Sequence, residues 1–73
     1  MPGKEDPWLA GIPIPGVKFA HNTTVEIIDG EHAGKVGWLV VLTLGAEPTY
    51  TVELESGEGD VEVKQSRLRE VAT

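Results

Sequence analysis

The stretch from Val25 to Leu42 constrains this chain most, because two apolar runs flank a loop punctuated by Gly30, Gly34 and Gly37. Glycine supplies positive φ angles and admits close backbone approach where a Cβ would clash. The pattern predicts strand, glycine-framed loop, strand. Val25 and Ile27 alternate with Thr24 and Glu26, the period of a half-buried strand. Beyond the loop, residues 35–42 read as apolar on both faces, with Val36, Trp38, Val40 and Leu42 on one side and Leu39 and Val41 on the other. A strand of that kind belongs at the centre of a sheet. Its second face is expected to be covered either by the N-terminal segment or by a neighbouring subunit.

The C-terminal half supplies further strands. Tyr50, Val52 and Leu54 alternate with Thr51, Glu53 and Glu55, and Val61 and Val63 alternate with Asp60, Glu62 and Lys64. Between them Ser56-Gly57-Glu58-Gly59 has the composition of a hairpin turn. Pairing of the two strands places Glu53, Glu55, Glu58, Asp60 and Glu62 on one acidic outer face. Residues 65–68 suit a short helical turn and residues 69–71 a last short strand. The expected fold is all-β, a small five-stranded SH3-like barrel, since closure removes strand edges that would invite aggregation. No internal repeat, low-complexity tract or heptad pattern interrupts it.

Residues 1–22 read differently, as an extended Pro/Gly-rich arm preceding a barrel of residues 23–73. Pro2, Pro7, Pro13 and Pro15, with Gly3, Gly11 and Gly16, are spaced so as to predict neither a helix nor a central strand. Ile12-Pro13-Ile14-Pro15 is expected to be extended, because each proline fixes its own φ and restricts the residue before it. Trp8, Leu9, Ile12, Ile14, Val17 and Phe19 make the arm apolar. It could pack across the barrel, dock on a neighbouring subunit or a partner, or remain a disordered arm.

A chain of 73 residues makes one domain with a single small core. The absence of cysteine removes disulfides and thiolate chemistry and fits a reducing compartment. Its longest apolar run, Trp38 to Leu42, falls far short of a membrane span, and the first residues lack a signal-peptide pattern. A cytoplasmic location is expected. Twelve acidic against six basic residues give a net charge of −6. Nucleic-acid affinity depends on Lys and Arg neutralising phosphates, so this balance disfavours nucleic acid and favours a protein partner with a basic surface.

The segment Asp29-Gly30-Glu31-His32-Ala33-Gly34-Lys35-Val36-Gly37-Trp38-Leu39-Val40 resembles the KOW motif of ribosomal and transcription-elongation proteins. That resemblance implies an SH3-like barrel and binding of RNA or of a ribosomal or transcription partner. The loop departs from it electrostatically, with Asp29 and Glu31 where RNA binders carry basic residues. A longer resemblance covers residues 34–38, Pro48-Thr49-Tyr50-Thr51-Val52-Glu53 and Gly59-Asp60-Val61-Glu62-Val63, ending in Leu68 and Val71. It is similar in spacing to the type II dihydrofolate reductases carried on plasmids and integrons. Those imply a tetramer around a pore that binds folate and NADPH, with a Val-Gln-Ile-Tyr signature on the fourth strand. Here Val61-Glu62-Val63-Lys64 stands at those positions, and the family's pore lysine falls near Ile27. The framework resembles that family and the pore chemistry does not.

No catalytic set emerges. His21 and His32 lack zinc-ligand spacing, Ser56 and Ser66 lack a nucleophile elbow, and residues 57–59 lack the lysine and following helix of a phosphate loop. The glutamates of an exposed strand face lack the burial that would tune them for acid-base work. Trp38 and Tyr50 read as core, so a full aromatic cage is not available. The expected function is a non-enzymatic binding or assembly module, without cofactor or metal. Its contact residues are Asp29, Glu31, His32 and Lys35 of the loop with Glu53, Glu55 and Glu62 of the hairpin. The alternatives are an oligomeric ligand-binding relative of the type II reductases, a homo-oligomer being left open, and a KOW-type RNA- or ribosome-associated module.

Overall fold

The computed structural model describes residues 6–71. Within them the protein is all-β apart from two short turns of helix. Strands β1 (Thr24–Ile27), β2 (Val36–Thr43), β3 (Thr49–Leu54), β4 (Asp60–Lys64) and β5 (Leu68–Glu70) are preceded by α1 (Asp6–Leu9), and a 3-10 turn (Gln65–Arg67) joins β4 to β5. All pairings are antiparallel and give one sheet in the order β4-β3-β2-β1-β5. The strands follow the alternation of the sequence. Val25 and Ile27, then Tyr50, Val52 and Leu54, point into the core, and Val63 and Leu68 complete it from β4 and β5.

The 3-10 turn dictates the shape of the sheet. In a flat sheet β4 and β5 would lie about 19 Å apart, four interstrand spacings. The three residues between them span only about 6 Å as a 3-10 turn. The sheet must therefore roll until its two edges approach. The roll is not sealed by hydrogen bonds as complete closure would require: among the described residues β4 pairs only with β3, and β5 only with β1.

The central strand departs from the sequence reading in its facing. Its register on β3 shifts between Leu39 and Val41, a bulge that inserts one residue and reverses the alternation. Leu39 and Leu42 consequently both point inward, whereas Val41 is exposed. Val36, Trp38 and Val40 lie half-buried on the outer face, so Trp38 is not the core residue that its run suggested. Gly37, the second residue of this strand, is buried because nothing larger fits. A Cβ there would lie 2.2 Å from the Glu53 carbonyl oxygen and 2.8 Å from Val52 Cγ1.

From Trp8 onward the arm packs on its own sheet. Trp8 is 2% exposed and its indole Nε1 donates to the Phe19 carbonyl oxygen at 2.7 Å. Its ring stands 6.0 Å from that of Tyr50, and Phe19 meets Tyr50 edge-on at 5.7 Å. The residues before Asp6 lie outside the described part. Contrary to the expectation from its prolines, the arm contains one helical turn, α1. Pro7 is accommodated there because a first-turn N–H has no intrahelical acceptor to lose.

Gln65 ties the arm down. Its Oε1 accepts from the Lys18 N–H at 2.8 Å and from the Tyr50 hydroxyl, and its Nε2 donates to the Gly16 carbonyl at 3.1 Å. Burial pushes the Tyr50 hydroxyl above its ordinary range, which keeps the phenol protonated as the donor. One side chain of the 3-10 turn thus fixes both the arm and the core tyrosine.

Candidate binding surface

The glycine loop is clamped at both ends. Ile27 N–H donates to the Lys35 carbonyl at 2.9 Å and Gly34 N–H to the Ile27 carbonyl at 2.7 Å, while Ile28 N–H reaches the Arg67 carbonyl at 2.8 Å. Gly30, at φ +92°, adopts the left-handed conformation that favours glycine. A Cβ on it would also meet Arg67 Nη1 at 3.0 Å. The absence of that carbon lets the guanidinium lie against the loop.

Between loop and sheet lies a cleft of about 400 Å³ lined by Asp29, Glu31, His32, Glu62, Lys64 and Arg67, with Ile27 and Val63 as its apolar residues. Four of the residues expected to make contact, Asp29, Glu31, His32 and Glu62, are thus brought together. Lys35 and Glu55 line a different depression with Ser56 and Glu58. There Lys35 Nζ pairs with Glu58 Oε1 at 2.6 Å, and Ser56 Oγ donates to the same oxygen at 2.8 Å. Glu53 lines neither; it stands on β3 between Trp38 of β2 and Asp60 of β4. The residues named together from sequence therefore form two pockets and one strand face. Lys64 and Arg67 were missed. The bond from Ile28 N–H to the Arg67 carbonyl brings Arg67 there, and the pairing of β4 with β3 sets the position of Lys64.

The carboxylates are unequal. Glu53, Glu55, Asp60 and Glu62 are exposed, and among the described residues the ion pairs are Lys35–Glu58 and Arg69–Glu26. Hydrogen bonds from Lys35 and then Ser56 hold the Glu58 carboxyl below its ordinary value. Glu47, in the β2–β3 loop, accepts the Ser66 N–H on Oε2 at 2.7 Å and so caps the 3-10 turn from 19 residues away. Its carboxyl is lowered chiefly by its hydrogen bonds to Ser66.

These two groups define an acid limb. A carboxyl depressed in the folded state binds protons more readily when unfolded, so its stabilisation is present above the ordinary value of 4.5 and is lost as pH falls through the folded value. Urea midpoints are expected to stay level from neutrality to about pH 5 and to fall below about pH 4.5. The fall should be shallower in Glu47→Gln; an identical slope in that variant would show that the cap contributes nothing.

No three His, Cys, Asp or Glu side chains converge as a metal site among the described residues, and no helix there is long and apolar enough to cross a membrane. No family model, curated protein or solved structure matches the chain.

Proposed function

We propose that the protein is a non-enzymatic binding module of SH3-like architecture that docks a protein partner through its acidic surface. The architecture is supported by the strand order β4-β3-β2-β1-β5, the long glycine loop after β1 and the 3-10 turn before β5. The function rests on one observation: the carboxylates of Glu53, Glu55, Asp60 and Glu62 are exposed and, among the described residues, have no cation paired to them, while the loop's lysine is committed to Glu58. A basic partner surface supplies the missing charges, speeds encounter and sets orientation. The same charges argue against the KOW-type alternative, because they repel phosphate. A cytoplasmic setting, where a cysteine-free module of this kind would work, is part of the proposal.

A lysine-rich peptide is expected to bind the acidic face in low salt and to weaken at least about tenfold between 50 and 500 mM salt, as exposed pairs are screened within the Debye length. Affinity indifferent to salt would defeat this reading.

The oligomeric alternative is favoured by a separate observation. Val36, Trp38 and Val40, with exposed Val41, form an apolar stripe on the outer face of β2, away from the core. Native mass spectrometry decides between the readings: a monomer fits the docking module, and a tetramer fits the reductase-like assembly.

A further inference from the structure

β4 has one side engaged and one side open. Leu54 N–H donates to the Gly59 carbonyl and Gln65 N–H to the Pro48 carbonyl. In an antiparallel ladder the bonded pairs alternate, so with this register residues 59, 61, 63 and 65 direct their backbone groups at β3. Asp60 and Glu62 therefore direct their N–H and C=O the other way, where among the described residues no strand pairs with them. The 400 Å³ cleft lies on that open side, with Glu62, Val63 and Lys64 as its β4 wall and Asp29 and Glu31 across it. Free ladder groups, an adjoining space with apolar Ile27 and Val63, and three carboxylates from both walls that outnumber the cleft's two cations, Lys64 and Arg67, thus coincide.

We infer that the open edge of β4 is a strand-addition site for an extended segment of a protein partner that alternates basic and apolar residues. Main-chain hydrogen bonds to Asp60 and Glu62 supply affinity that does not depend on side-chain identity. The alternation supplies selectivity, because successive side chains of an added strand point to opposite faces. Basic residues of the segment meet Glu62, Asp29 and Glu31. The inference rests on the acidic docking reading and assigns it a place and a binding mode.

The probe is the hexapeptide acetyl-Lys-Val-Lys-Val-Lys-Val-amide, titrated into the protein and followed by amide NMR and hydrogen exchange. Glu62→Pro removes one outward N–H without touching a β3 bond, a substitution that edge strands tolerate. Glu62→Gln removes the charge and keeps the N–H. Binding is expected to shift the Asp60 and Glu62 amides and to slow exchange at Glu62 in the unaltered protein by about tenfold or more. Affinity should fall by about threefold or less in Glu62→Gln and by about tenfold or more in Glu62→Pro. Binding that leaves Glu62 exchange unchanged, or that is equal in the two variants, overturns strand addition while sparing the acidic docking reading. Failure of the peptide to bind the unaltered protein overturns both. The exchange measurement needs no variant, so a misfolded Glu62→Pro protein does not rescue the inference.

Discussion

Replacing Gly37 with alanine is expected to destabilise the fold by about 3 kcal/mol or more, at or beyond the upper end of overpacking effects. The added carbon would sit 2.2 Å from a backbone carbonyl oxygen. That oxygen belongs to Glu53, which is in register with Trp38, so it cannot move without disturbing the β2–β3 ladder. A domain of this size has only about 4–11 kcal/mol in total. The midpoint in a thermal melt should therefore fall by roughly 12–24 °C. Gly45→Ala is the control, since a Cβ there meets nothing within 4 Å. If Gly37→Ala melts within a few degrees of Gly45→Ala, β2 and β3 are farther apart than described.

The second large effect belongs to Trp8. Trp8→Ala should lower stability by about 3–5 kcal/mol, the range for emptying a buried aromatic site. The loss combines apolar burial with the hydrogen bond to Phe19 and the ring contact with Tyr50. Gln65→Ala approaches the same joint from the other side and should cost about 1–3 kcal/mol by leaving the Tyr50 hydroxyl and the Lys18 N–H without their acceptor. Denaturant midpoints measure both losses. Faster exchange at the Lys18 amide with the β3 amides still protected would locate the damage in the arm. A Trp8→Ala protein as stable as its parent would mean that the arm contributes nothing to the core.

The strands were legible in the sequence because polar and apolar residues alternate there, and period two survives any rearrangement of loops. The bulge was hidden for the converse reason. Leu39, Val40, Val41 and Leu42 are all apolar, so a slip of one position leaves no trace in composition. Trp8 was recognisable as too apolar for an idle tail, but its acceptor is a main-chain carbonyl that no side-chain pattern advertises. Gly37 was singled out as a loop glycine, yet it stands in a strand and is required for lack of space. The binding surface was read one charge at a time along the chain. Its division into a cleft, an ion-paired depression and a strand face depends on the β1–β5 pairing and on Arg67 lying over Gly30.

That pairing also governs when the protein can become itself. Thr24 accepts the Val71 N–H and Ile28 N–H reaches the Arg67 carbonyl, and the arm is held by Gln65, so β1 and the arm both wait for residues 65–71. The β3–β4 hairpin is local and needs only its own residues. Contacts of long sequence separation form slowly, because the entropy of closing the intervening loop is lost before they return any stabilisation. A nascent chain leaving the ribosome would therefore carry a formed hairpin while β1 still lacked one neighbour and Trp8 its cover. The docked arm and the rolled sheet therefore wait for the 3-10 turn and β5, residues 65–70.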